Sequence, residues 1–164
     1  MAETIRVDVQ GVKAALRTLR RLDPDMRKQF DKNAREVVKP LMDDAKQRYT
    51  RVPLSGFNRR WVARGTEITP RTIGRYRSGV TFKVNTSDKR GTVFTVLQRN
   101  AAASVFDMAG RRSSNNLSRS LEAAGWGTAS RVMWPAAETK GDAAVHELMR
   151  LVDEVAATIN RDFN

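Results

Sequence analysis

The fold is decided by residues 23–50, which read DPDMRKQFDKNAREVVKPLMDDAKQRYT. Apolar residues recur in this stretch at steps of three and four, which places them on one face of a single long helix. They are Met26, Phe30, Ala34, Val37, Leu41, Ala45 and Tyr49. Asp23 is suited to cap the first turn, and Pro24 then occupies the first helical position, where its missing N–H is not needed. We therefore expect a helix about 40 Å long, along which the rest of the chain packs.

Pro40 lies inside this helical pattern and removes the hydrogen bond that its N–H would have made to Glu36. Because the apolar stripe continues in phase beyond it, we predict that the helix bends near residues 36–40 and does not end there. Oppositely charged residues four positions apart support a solvent-exposed opposite face. These pairs are Asp31 with Arg35, Lys32 with Glu36 and Asp44 with Arg48.

The composition bounds the class of protein. A chain of 164 residues with 40% hydrophobic content has enough material for one core, so we expect a single domain over residues 1–164. Cysteine is absent, which excludes disulfides, thiolate metal sites and a cysteine nucleophile. No run reaches the roughly 18 to 20 apolar residues of a membrane span, and the first residues do not resemble a signal peptide. We expect no membrane association and a chain that is made and kept in a cytoplasm.

The charge is strongly basic. There are 30 Lys and Arg residues against 18 Asp and Glu residues, a formal net charge of +12. Such a charge favours association with polyanions, so nucleic acid is one candidate partner. Acidic faces of neighbouring protein subunits are the other, and charge alone does not decide between them.

The remaining pattern mixes strands and helices. Alternation at residues 5–9 predicts a short strand, and a helix of about three turns follows over 12–22. Residues 78–86 and 92–99 predict a β-hairpin whose second strand is more central, and 101–108 is a weaker strand candidate. A final helix is expected from Pro135, with one apolar face formed by Val145, Leu148, Val152, Val155, Ile159 and Phe163. Its spacing suits either a helix partner inside the domain or a seam with a neighbouring chain.

Two stretches predict long basic loops. Residues 57–77 contain Arg59, Arg60, Arg64, Arg71, Arg75 and Arg77, with Trp61 and Tyr76 between them. This composition is typical of a loop that contacts phosphates or stacks on single strands, of a protein interface, or of a solvated loop. Residues 111–131 are rich in Ser, Asn and Gly and predict a surface insertion with at most one turn of helix near 117–124. The expected fold is α+β: a small antiparallel sheet packed against a long kinked helix and a C-terminal helix, with two long basic loops.

Motifs for catalysis or cofactor binding do not emerge from the sequence. His146 is the only histidine and falls on a helix surface. Asp43 and Asp44 are adjacent on a helix, so their side chains diverge and cannot converge on one metal ion unaided. The glycines do not form a phosphate-binding loop. We expect no enzymatic activity, no metal site and no cofactor.

In this order of elements the chain resembles the neck, or tail-completion, proteins of long-tailed bacteriophages, which join heads to tails. The resemblance covers most of the chain and depends on four stretches. They are the opening strand and glycine with VKAALRTLRRLDPDMRKQF, the long helix through NAREVVKPLMDDAKQRY into a Val-Pro loop, the stretch AAASVFDMAGR, and VMWPAAE before the C-terminal helix. The chain departs from the usual pattern at Phe106–Gly110, where relatives carry a Glu-Phe-Gly type motif, and at Trp134, where they carry arginine.

The resemblance implies a head-tail joining domain that acts as a structural subunit of the virion neck and is assembled in the host cytoplasm. It implies a homo-oligomeric ring, six-fold, that completes the tail end and contacts connector or stopper and tail-tube proteins, with non-specific contact to packaged DNA. The alternative is a basic DNA- or RNA-binding module that uses the 57–77 loop. We expect the two loops to gain order by docking on neighbouring subunits. The interface candidates are Arg59, Arg60, Trp61, Arg64, Arg71, Arg75, Tyr76, Arg77, Arg111, Arg112, Trp126 and Trp134.

Overall fold

The computed structural model describes residues 4–9, 16–18, 21, 23–50, 70–85 and 92–163. Three strands and five helices are defined in these ranges, and residues 16–18 are helical as well. In chain order they are β1 (Thr4–Val9), α1 (Pro24–Arg48), α2 (Pro70–Ser78), β2 (Val80–Asn85), β3 (Thr92–Gln98), α3 (Ala101–Met108), α4 (Asn116–Ala123) and α5 (Met133–Phe163). The mixed class and the small antiparallel sheet packed against helices are as the sequence predicts.

Helix α1 begins as its sequence predicts. The Asp23 carboxylate accepts hydrogen bonds from the backbone N–H groups of Asp25 at 2.9 Å and Met26 at 3.0 Å. These bonds satisfy two of the donors that a helix leaves free in its first turn. The helix runs through Pro40 to Arg48 without a break, and the bend near residues 36–40 stays a prediction.

The sheet has the strand order β1-β3-β2, and both pairings are antiparallel. Its register places Thr95 opposite Arg6 on one side and Lys83 on the other. The predicted hairpin of β2 and β3 and the predicted central position of β3 are therefore confirmed. Strand β2 forms one edge of the sheet, beside helix α1.

The core lies where α1, α5 and the sheet meet. The ring of Phe94 lies 6.2 Å from that of Phe82, in a stacked arrangement, and 6.3 Å from that of Phe30. Of the residues on the two predicted apolar faces, six are buried: Phe30, Ala34, Leu41, Ala45, Tyr49 and Leu148. Six others are only partly buried: Met26, Val37, Val145, Val152, Val155 and Ile159. Val38 and Leu151 are buried instead, because adjacent helical positions point about 100° apart and the inward face is rotated by one residue at these places.

The weak strand predicted at 101–108 is wrong, because these residues form helix α3. Asn100 caps this helix by accepting a hydrogen bond from the N–H of Ala103 at 3.1 Å. Three alanines follow the cap, and alanine has the highest helix propensity. Local preference for a helix therefore prevails here over the apolar run that suggested a strand.

Both predicted loops contain helices. The end of the first loop, from residue 70 onward, is helix α2, and residues 51–69 lie outside the described part of the chain. The second contains the two-turn helix α4 where at most one turn was expected. The C-terminal helix also starts two residues before Pro135, at Met133. A local capping box satisfies free donors in the first turn of α4. A side chain from another segment, Asp107, does so for α5.

Candidate interaction surfaces

The structure separates the interface candidates of the first loop. Arg59, Arg60, Trp61 and Arg64 lie outside the described residues, and so does the side chain of Arg71. The remaining three candidates of this loop fall on helix α2. Their placement shows which part of that helix can meet a partner.

Tyr76 does not belong to the surface. It is fully buried, while its neighbours Arg75 and Arg77 are exposed. Arg77 Nε donates to the carbonyl oxygen of Tyr49 at 3.3 Å, which ties α2 to the end of α1. The difference arises because residues 70–78 form a short helix with one inward face, where the composition predicts a loop. In this conformation Tyr76 is a core residue, and its predicted role as a surface anchor is corrected.

Gln98, at the end of β3, joins helix α2 to the sheet by hydrogen bonds. Its Nε2 donates to the Tyr76 carbonyl at 2.9 Å, and its Oε1 accepts from the N–H of Asn100 at 2.8 Å. A Cβ at Gly79 would overlap Gln98 Oε1, so a larger residue at this turn between α2 and β2 would displace the Gln98 side chain from these hydrogen bonds. The C-terminal end of the basic helix α2 is thus joined to the end of the sheet by hydrogen bonds.

The second predicted loop folds onto its own domain. The Trp126 ring meets Phe106 edge to face, with 5.5 Å between the ring centroids and 85° between their planes. Leu121 is buried, and Asn115 and Ser118 form a reciprocal capping box at the start of α4. This segment therefore packs apolar side chains, Trp126 among them, against other described residues, and its docking on neighbouring subunits stays a prediction.

Arg131 fixes the end of this segment. Its Nη1 donates to the carbonyl oxygens of Phe106 at 2.8 Å and Ala109 at 3.1 Å, and Nε and Nη2 both donate to Gly127. Burial lowers the pKa of Arg131, although the negative charges of Asp107 and Glu122 act to raise it. The side chain holds three backbone carbonyls together and is not free to bind a partner.

Asp107 is fully buried and caps helix α5 from a distance of 25 residues along the chain. Its two carboxylate oxygens accept from the N–H groups of Val132 at 2.7 Å and Met133 at 3.0 Å. A carboxylate at a helix N-terminus is favoured both by these bonds and by the helix dipole. The sequence interpretation missed this role, because nothing local to residues 132 and 133 indicates a cap.

Besides Arg75 and Arg77, three candidates remain on the surface. Arg111 and Arg112 are exposed beside the end of α3. Trp134, in the first turn of α5, is 57% exposed. Its Nε1 donates to Glu138 Oε1 at 2.7 Å, one helical turn further on. Of the four aromatic interface candidates, Trp61 lies outside the described residues, and Trp134 is the one that the described structure leaves open to a partner.

Trp134 belongs to a larger surface on α5 that we call the acidic face. It comprises five exposed side chains at steps of four and seven residues: Trp134, Glu138, Asp142, Met149 and Asp153. Trp134 and Met149 are the two large hydrophobic residues that the described part of the chain exposes. Such spacing keeps the five on one side of a helix, over about 28 Å. The sequence contains this spacing, but the inward face at Leu148 and Val152 dominated its interpretation.

A second surface, which we call the basic groove, lies between α1 and the edge strand β2. It is an open groove of about 490 Å³. Its lining includes Arg27, Asp31 and Arg35 from α1 and Lys83 from β2. Arg27 bonds to Asp31 at 3.0 Å, so one of the three cations is neutralised locally. Neither Arg35 nor Lys83 has an ion-pair partner among the described residues.

The ion pairs between described residues do not neutralise the charges of these two surfaces. Every salt bridge found between described residues joins positions three or four apart within one helix, such as Asp44 with Arg48 at 2.8 Å. Arg150, on another side of α5, is paired with Glu147 and Glu154. Asp142 and Asp153 of the acidic face have no such partner in the described structure. Charge of each sign is therefore available for contacts beyond the chain.

Within the described ranges, no three His, Cys, Asp or Glu side chains are arranged to hold a metal ion. None of the described helices is both long and apolar enough to cross a membrane. Comparisons of the chain with protein families, with curated proteins and with solved structures found no match.

Proposed function

We propose that this protein is a structural subunit of the head-tail connector of a long-tailed bacteriophage. It forms a six-fold homo-oligomeric ring in the virion neck that completes the tail end and joins it to the capsid connector. Its partners are further copies of itself and the neighbouring connector or stopper and tail-tube proteins. The resemblance of the sequence to neck proteins motivates this proposal, and the distribution of polar groups supports it.

The observation that carries the proposal is the hydrogen bonding of the buried polar side chains. Four are buried in the described residues: Gln98, Ser104, Asp107 and Ser118. Each forms hydrogen bonds to the backbone, as with Ser104 Oγ, which donates to the Gln98 carbonyl at 3.2 Å. These four side chains all fix the backbone, which suits a rigid scaffold, whereas a catalytic site needs such groups aimed at a substrate.

The surface supports the same proposal. Residues 51–91 contain ten Lys and Arg against two Asp and Glu, while residues 133–163 contain six acidic and three basic residues. A chain with oppositely charged regions can contact both its own copies and other acidic proteins. The exposed apolar side chains of the acidic face add the kind of contact on which protein interfaces depend.

A DNA- or RNA-binding module is the second candidate, favoured by the density of arginine in residues 57–77. The two functions differ in a solution measurement. Binding that uses several phosphate contacts weakens steeply as salt rises, with a slope that reports the number of contacts. We expect weak nucleic-acid binding that is lost at physiological salt. A slope corresponding to six or more phosphates with retained affinity would favour the second candidate.

Localisation in the particle tests the proposal directly. The chain contains no cysteine, so the exposed Ser113 can be replaced by cysteine to carry a single gold label. In labelled, infectious particles we expect the gold at the junction between head and tail. Gold on the capsid shell or the tail tip, or particles without the protein, would overturn the neck assignment.

A further inference from the structure

The two unmatched surfaces have opposite charge and lie on different elements of one chain. The acidic face of α5 presents Asp142 and Asp153, which lack ion-pair partners among the described residues, beside the exposed Met149. The basic groove presents Arg35 and Lys83, which also lack them, at the edge of the sheet. Each surface therefore has the chemistry that the other needs.

We infer that the acidic face of one copy docks in the basic groove of the next copy. The inference deepens the proposed function and rests on the ring assigned there. A contact between two different patches of the same chain is heterologous, and such contacts close into rings when the rotation between copies permits it. The occupant of the groove is thus a second copy, held by carboxylate contacts to Arg35 and Lys83.

Apolar residues also contribute to this contact. Trp134 and Met149 lie about 22 Å apart along α5 and bracket Asp142. Val84, which is only partly buried, lines the groove beside Lys83 and offers apolar area to such side chains. A single contact of this kind is weak, because exposed charges are screened by salt. It strengthens in a closed ring, where every subunit is held by two neighbours.

Cross-linking tests the contact even when it is weak. Because the natural chain has no cysteine, the pair Lys83→Cys and Asp142→Cys places the only two thiols of the chain on the two surfaces. Under mild oxidation at low salt we expect a ladder of dimers, trimers and larger species. The matched control carries Lys83→Cys with Glu147→Cys, since Glu147 lies on another side of α5 and pairs with Arg150. Ladders of equal strength from both pairs, or from neither, would overturn the inference.

Charge-reversal variants test the contribution of each surface to the contact. Asp142→Lys with Asp153→Lys removes the acidic face, and Arg35→Glu with Lys83→Glu reverses the groove. Each double variant, with the cysteine pair moved to Asn85→Cys and His146→Cys, should lose self-cross-linking by at least about tenfold. A mixture of the two variants should recover the ladder, with the two variants alternating, because the groove of each variant is complementary in charge to the face of the other. A chain that carries all four changes should recover the ladder. Failure of both the mixture and the four-change chain would contradict the contact.

The outcomes also separate this inference from the proposed function. Particles whose heads and tails join normally with the Asp142→Lys and Asp153→Lys chain would overturn the contact and leave the neck role intact. A clean ladder from a chain that never reaches the head-tail junction would overturn the neck role and leave the contact intact.

Discussion

Helix α1 and the segment 111–131 are both ordered, but different forces hold them. Helix α1 is fixed by an apolar stripe, in which Phe30, Ala34, Val38, Leu41 and Ala45 are buried. The segment 111–131 has no such stripe and is fixed by a few specific contacts, chiefly those of Trp126 and Arg131. The first kind of order is repeated along the sequence and can be predicted. The second depends on partners that are distant in sequence.

The largest effect should follow truncation of the stripe. Leu41→Ala removes a side chain that is 3% exposed, and we expect the free energy of unfolding to fall by about 2 to 5 kcal/mol. Lys39→Ala, two residues away on the exposed side, should change stability by less than about 0.5 kcal/mol. Chemical denaturation of both variants checks this. Equal stability of the two would mean that α1 does not bury the face assigned to it.

A smaller effect should follow loss of the distant cap. Asp107→Ala leaves the buried N–H groups of Val132 and Met133 without acceptors, and we expect a loss of about 2 to 3 kcal/mol. Asp107→Asn keeps one acceptor oxygen, so its thermal midpoint should lie between those of the wild type and the alanine variant. An unchanged midpoint for Asp107→Ala would show that the carboxylate does not cap α5.

Loss of the aromatic contact in the segment 111–131 should have a smaller and more local effect on stability. Trp126→Ala removes the edge-to-face contact with Phe106, which we expect to cost about 1 kcal/mol. Hydrogen exchange should speed up in α4 and change little in α1. Trp134→Ala is the matched control, because that ring is 57% exposed and its removal should leave stability almost unchanged. Faster exchange throughout α1 in the Trp126→Ala variant would contradict a local effect of this contact.

The smallest effect should be a gain. Gly141 lies inside α5, and a Cβ there would meet nothing closer than Ala137 Cβ at 3.9 Å. Gly141→Ala should therefore stabilise the protein by about 1 kcal/mol through helix propensity. Gly127→Ala should do the opposite, since Gly127 has a φ of +71° that alanine adopts only with strain. Thermal midpoints that shift in the same direction for both would contradict these backbone assignments.

These contrasts explain how far the sequence could be interpreted. The stripe of α1, the Asp23 cap and the β2–β3 hairpin are local patterns, and their prediction is confirmed. Helix α3 could also have been found, because Asn100 before three alanines is a helix-start signal. The Asp107 cap could not, since its partners are 25 and 26 residues away.

The candidate surfaces divide in the same way. The steps of four and seven that define the acidic face can be read from the sequence once α5 is known to start at Met133. The basic groove cannot, because Arg35 and Lys83 come together only through the packing of α1 beside the edge strand. Tyr76 shows the converse error, since arginines on both sides made a core residue look like a surface anchor.

The most direct test of the neck role is a count of particles made without this protein. If it is a connector subunit, a phage in which its gene is interrupted should produce DNA-filled heads and finished tails that remain separate. Supplying the chain from a plasmid should restore joined particles, and supplying it with Arg60→Ala and Trp61→Ala should restore few, although the variant melts like the wild type. Joined, infectious particles in normal numbers from the interrupted phage would contradict the account.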